Sequence, residues 1–191
     1  MNFRLTYDGP LKAASQSDTR RKEKHEMRTV FHRQLNRLFE ARDADFLERE
    51  IADKELFSLL TRRGDFFCFP LVRERLHLVC DLDILFLRRE APGHIVAGGG
   101  DLDNRIKVLF DALRMPQDDN EVRGFAAESG KRVLLCLTEN DTLITGFRVT
   151  TDRLLEPANP PAEENHVRLI INVEVKATQL TEENMAYFSH F

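Results

Sequence analysis

With 191 residues, 42% of them hydrophobic, the chain can bury about two thirds of its unfolded surface in one domain, without a disulfide or metal staple. Cys68, Cys80 and Cys136 lie scattered through apolar runs with no CxxC pair, which argues against zinc and for reduced core thiols in a cytoplasmic protein. The formal charge of -4 is awkward for a phosphate binder, no stretch approaches 18 apolar residues and Met1-Asn2-Phe3-Arg4 lacks a leader's apolar region, so neither a membrane partner nor export is expected.

In chain order, residues 2–7 read as a short strand and 8–17 as a polar loop with Gly9-Pro10. A basic helix follows. Between Arg20 and Arg42 stand eight basic residues (Arg20, Arg21, Lys22, Lys24, Arg28, Arg33, Arg37, Arg42) against Glu23, Glu26 and Glu40, a local +5 that leaves -9 elsewhere. Met27, Val30, Phe31, Leu35, Leu38 and Phe39 give it an apolar stripe. Residues 45–61 look like a more acidic helix. Residues 66–72 and 76–87 read as a strand pair turning at Arg73-Glu74. In the second strand Leu76, Leu78, Cys80, Leu82, Ile84 and Phe86 make one face, while His77, Val79, Asp81 and Asp83 make the other, solvent-facing one. His77 has no placed partner and receives no role. Residues 90–100 form a glycine-rich connection without the GxxxxGK[ST] of a P-loop.

The most informative segment runs from Gly98 through Leu113. Asp101 stands where an N-cap belongs, after three glycines and before a strongly helical stretch. Ile106, Leu109, Phe110 and Leu113 make the core stripe; Asp103 or Asn104, Lys107, Asp111 and Arg114 follow the opposite face. Two carboxylates converging at about 5 Å repel by about 3 kcal/mol at an effective dielectric near 20, a cost that a divalent cation reverses. Hard oxygen ligands with an ammonium group one turn away suit phosphodiester hydrolysis. The plainer alternative is an ordinary helix cap, worth about 0.3–2 kcal/mol.

Further on, 132–137 and 143–150 read as strands around a Glu139-Asn140-Asp141 turn, 156–164 as a loop, 167–177 as the last strong strand, and 178–191 as a tail holding a short helix or disorder.

Asp101-Leu102-Asp103-Asn104, then Lys107 and Asp111-Ala112-Leu113, resemble the signature helix of the RusA-type Holliday-junction resolvases. The segment from Glu139 to Val149 resembles that family's acidic turn and following strand. The resemblance implies a homodimeric, Mg²⁺-dependent endonuclease, with Mn²⁺ as a substitute, that cleaves branched DNA in recombination and repair. Carried over by position, Asp101, Asp103 and Asp141 are the metal ligands and, with Lys107, the catalytic set. Asn104 would orient a ligand or water, and Arg20, Arg21, Lys22 and Lys24 would hold the DNA backbone. Departures are Asn140, where an aspartate is common, and about twenty inserted residues at 115–137. The insertion brings a rival third ligand, Asp119, in Asp118-Asp119-Asn120-Glu121-Val122. Asp141 is favoured because a convincing strand follows it.

The expected architecture is one α/β, RusA-like domain over 1–191, a mixed sheet of about five or six strands packed against helices. In it, residues 38 apart, Asp103 and Asp141, meet at one cation. The rival function is a catalytically divergent module of the same fold that binds nucleic acid or protein. A sugar-nucleotide transferase built on Asp-Leu-Asp is disfavoured, since no nucleotide-binding strand and glycine turn precede the motif.

Overall fold

The period-two pattern of 76–87 becomes β4 (Leu78–Arg88), with Leu78, Cys80, Leu82, Ile84 and Phe86 buried and Asp83 exposed. The computed structural model describes residues 1–12, 17–42, 60–89, 101–125, 133–155 and 165–189, with backbone alone for 17–19, 42, 101, 186, 187 and 189. In this structure β4 lies between β7 (His166–Ala177), which is antiparallel to it, and β6 (Ile144–Arg153), which is parallel. β1 (Asn2–Pro10) joins antiparallel to β7, so the sheet order is β1-β7-β4-β6.

A second sheet holds β2 (Thr61–Arg63), β3 (Phe66–Val72) and β5 (Val133–Thr138), with β2 antiparallel and β5 parallel to β3. The architecture is therefore mixed α/β with two mixed sheets, not the single sheet of five or six strands that was expected. The hairpin expected between 66–72 and 76–87 does not form either. β3 is apolar at nearly every position and almost wholly buried, which suits a strand covered on both faces rather than half of a one-sided hairpin. Its end is held in the second sheet by the Glu139 N–H, which donates to Val72 O at 2.9 Å. The chain then leaves through a turn in which Arg73 is buried, its guanidinium 3.9 Å from the Phe69 ring centre, and His77 takes a φ of 52°.

The helix α1 (Ser17–Arg42) buries Met27, Phe31, Leu35 and Phe39 at helical spacing. Phe31 meets Tyr7 of β1 at 6.3 Å between ring centres, and Phe39 meets Phe69 of β3 edge-on at 5.9 Å. One helix thus bridges both sheets. Gln34 of α1 also pairs with the β1 edge at Thr6: its Nε2 donates to Thr6 O at 2.7 Å, and the Thr6 N–H donates to its Oε1 at 2.8 Å.

The second helix, α2 (Asp101–Leu113), packs beside α1 and buries Ile106, Leu109 and Leu113 as expected. Phe110 is only half-buried. Arg114 corrects the expected outer stripe: it is 4% exposed and bound to Asp111 and Glu121. The stretch 115–137 contributes a 3₁₀ turn (Asp119–Val122) and β5, so it builds the second sheet. In the tail, α3 (Glu182–Ser189) is anchored by the buried Asn184, whose Nδ2 donates to Leu76 O at 3.0 Å. The helix expected over 45–61 falls outside the described residues except at its end, where Thr61 opens β2; the connections 90–100 and 156–164 lie outside them.

All three cysteines are free and buried. Burial, helped by the neighbouring Asp81 charge, pushes the Cys80 thiol up to about 12, which keeps it an inert core group. Among the described residues no helix is long and apolar enough to cross a membrane.

Candidate metal centre

The charges on α2 fall into two groups. Arg105, 3% exposed, donates through Nη1 to Leu11 O and through Nη2 to Asn165 Oδ1 at 2.8 Å. Asp111 accepts from Arg114 at 2.8 Å and faces the Lys24 ammonium at 3.3 Å, and its backbone oxygen accepts from Arg28 at 2.7 Å. These groups brace the fold. Asp103, Asn104 and Lys107, by contrast, are exposed, and among the described residues no hydrogen bond or ion pair engages them. Asp103, Lys107 and Phe110 lie on one stripe at i, i+4, i+7, and Phe110 meets Phe147 of β6 edge-on at 5.2 Å. The stripe therefore borders β6.

Three contacts orient α2 along the sheet. Its end lies by β5, where the Met115 N–H donates to Thr138 O at 2.8 Å, and its last turn meets β6 at Phe147. Its start lies where Arg105 reaches Leu11 and Asn165, beside the terminal β1–β7 pair Pro10↔His166 and the β4–β7 pair Leu87↔Arg168. Asp101 and Asp103 thus sit at the end where β4 finishes.

Asp141 is at the other end. It opens a 3₁₀ turn (Asp141–Leu143) directly before β6, whose first residue Ile144 pairs with Cys80 near the beginning of β4. The stretch from Cys80 to Arg88 spans about 26 Å at about 3.3 Å per residue. One copy of the chain therefore does not gather Asp103 and Asp141 at a single cation. Asn140 caps the turn, its Oδ1 accepting from the Thr142 N–H at 3.0 Å.

The rival acidic pair is a structural turn. Asp118 caps it by accepting from the N–H groups of Asn120 and Glu121, and Asp119 Oδ1 accepts from the Gly64 N–H at 2.9 Å. Asp119 follows the C-terminal end of α2, and the ten residues between Asp103 and Leu113 already span about 15 Å. Glu121 is the important acid here. Burial alone would raise its pKa, but Arg28 and then Arg114 outweigh that and hold it below the usual carboxylate range.

Among the expected DNA contacts on α1, Lys24 is committed elsewhere and Lys22 stays exposed. Lys24 is turned to Asp111 and only 14% exposed, Lys22 stands 3.8 Å from Glu26, and Arg20 and Arg21 are half-buried. Arg28, 1% exposed, is bound to Glu121.

Asp81 and Asp83 share the opposite face of the four-stranded sheet, beside a concavity of about 750 Å³ that Arg4, Arg148, Asn172 and Glu174 also line. Asp81 is held below its ordinary pKa by hydrogen bonds from Lys176, at 2.6 Å, and Thr145, at 2.9 Å. Gly146 leaves room for it, since a Cβ there would come within 2.9 Å of Asp81 Oδ1. Among the described residues no group of three His, Cys, Asp or Glu side chains is placed to hold a metal ion. No family model, curated protein or solved structure matches the chain.

Proposed function

We propose that the chain is a Mg²⁺-dependent, structure-specific endodeoxyribonuclease acting on branched DNA such as Holliday junctions, with Mn²⁺ able to replace Mg²⁺. The observation that carries this reading is the division of charge on α2. Bonds within the protein occupy Arg105, Asp111 and Arg114, whereas Asp103, Asn104 and Lys107 remain in solvent with no partner among the described residues. A hard cation together with a phosphodiester would use all three.

The donor set suits the ion. Carboxylate and carboxamide oxygens are hard ligands, and Mg²⁺ commonly takes one or two carboxylates and completes its shell with water and substrate phosphate. Asp101 and Asp103 would hold it, and when bound it supplies charge neutralisation at the scissile phosphate and a more acidic water. Lys107, one turn along, stabilises the negative charge that develops on the phosphoryl oxygens. Asn104 orients a water or a phosphate oxygen. The peptide dipoles at the start of α2 attract the same anion.

In this reading the enzyme is a homodimer and Asp141 serves the site of a second copy. Gln34 occupies the β1 edge at Thr6, while among the described residues no strand covers the free edge of β6. Antiparallel pairing of two β6 strands about a two-fold axis lays Ile144 of one copy beside Arg153 of the other. Each Asp141 is thereby carried to the end where the other copy's α2 begins. The same pairing covers Phe147, which is 59% exposed near the middle of β6. Two such sites match a substrate with two-fold symmetry.

Incubation of purified protein with labelled linear, flapped and four-way DNA, in Mg²⁺ or EDTA, tests the proposal. Nicks in the branched substrates with Mg²⁺ alone are expected, and intact branched DNA throughout overturns it. The separation of Asp141 from Asp103 within one chain favours a second reading, a noncatalytic module that binds nucleic acid or protein. That module need not bind Mg²⁺, so calorimetric titration with the ion separates the two.

A further inference from the structure

Packing engages Lys24 and Arg28 of α1, so the end of the four-stranded sheet is a second place to look for phosphate contacts. We infer that the backbone of the nucleic acid is held by Arg89 and Arg153, next to Arg88, at the end of the four-stranded sheet where α2 begins. Arg88 and Arg153 face each other directly in the parallel β4–β6 ladder, and Arg153 Nε donates to Arg89 O at 3.1 Å. Like charges in facing ladder positions repel. Here the ladder pair and the hydrogen bond to Arg89 O gather three arginines at two adjacent strand ends.

No acid offsets that repulsion at Arg89 or Arg153: among the described residues no carboxylate forms an ion pair with either, and Asp152 accepts from the Arg153 backbone N–H at 2.7 Å. Arg89 Nε is buried and has no hydrogen-bond partner, so its desolvation is uncompensated. A phosphodiester meets these guanidinium groups from their solvent side. Its oxygens accept the paired N–H groups of a guanidinium, and its charge relieves the repulsion between the arginines. The location fits as well, because Arg105 fixes the start of α2, with Asp103 and Lys107 nearby, to this end of the sheet. A strand of DNA held by Arg89 and Arg153 would cross the helix start.

The inference rests on the nucleic-acid reading of the α2 start, and it is tested by binding rather than cleavage. Fluorescence anisotropy of labelled four-way DNA in EDTA, between about 50 and about 200 mM KCl, gives the affinity and its salt dependence. The double variant Arg89→Gln/Arg153→Gln is expected to bind about tenfold or more weakly, with the slope of log K against log[salt] shallower by about 1.8. Arg153→Lys keeps its charge and retains the wild-type slope, and Lys22→Gln leaves affinity within about twofold. An unchanged affinity and slope in the double variant overturns the inference, as does a loss that gel filtration traces to dissociation of a dimer. Wild-type protein that shows the expected slope change but never cuts leaves the phosphate site standing and removes the nuclease chemistry alone. A chain that binds no DNA removes both.

Discussion

Asp103 is exposed although Arg105 and Ile106, two and three residues later, are buried, so a change of charge there leaves the packing of α2 intact. Asp103→Asn is expected to reduce Mg²⁺-dependent cleavage by about 100-fold or more while junction binding survives. Lys107→Met should lower the single-turnover rate by about 100-fold through loss of transition-state charge stabilisation. Single-turnover cleavage beside anisotropy checks both, and a wild-type rate in Asp103→Asn would remove that carboxylate from the mechanism. At this scale the sequence was legible where a residue stays in water. Asp103, Asn104 and Lys107 stand where helical spacing puts them, whereas Arg114 does not. Its burial depends on Glu121, seven residues on, folding back beneath it.

The brace between elements is the cluster of Lys24 and Arg28 on α1, Asp111 and Arg114 at the end of α2, and Glu121 in the following 3₁₀ turn. Its arginines are 1% and 4% exposed, so removal of their shared acid leaves two buried charges without their strongest partner. Glu121→Gln is expected to cost about 3 kcal/mol in urea unfolding. Because the folded state holds the Glu121 pKa low, its contribution is fully present above the ordinary glutamate value of about 4.3. It is lost as pH falls through the depressed folded value. The wild-type urea midpoint should therefore drop on acidification below about pH 4.3, and the drop should be smaller in Glu121→Gln. Sequence spacing presented 118–122 as a rival ligand set. Only the approach of α1, 93 residues earlier in the chain at Arg28, shows it to be a brace.

For the whole molecule, the decisive arrangement is α2 lying antiparallel to β6, with Asp103 and Asp141 at opposite ends. If Asp141 completes the site of a second copy, mixed variants must complement. Asp103→Asn and Asp141→Asn are each expected to be inactive alone. Co-refolded, they form a heterodimer with one intact site, which should nick four-way DNA at up to about half the wild-type rate per heterodimer. Sites contained within single chains would leave the mixture as inactive as its components, and the dimer proposal would fail. The position of Asp141 in a capped turn before a strand was readable from Glu139-Asn140-Asp141 and the apolar residues that follow. Its distance from α2 was not, because that distance depends on which strand β6 pairs with and in which direction.

By itself the sequence determined the α/β class, the alternating faces of β4, the apolar stripes of α1 and α2, and the solvent-facing acid, amide and amine at the start of α2. All of these follow from side-chain period along a few consecutive residues, which local backbone geometry imposes. The tertiary structure decided the rest: two sheets in place of one, a parallel β4–β6 ladder that sets Arg88 against Arg153, and the neutralisation of Lys24 and Arg28 on α1 and of the charges at the end of α2. Those outcomes turn on residues tens to more than a hundred positions apart meeting in a desolvated core. There, pairing and burial, rather than spacing, determine which charged groups remain available for chemistry.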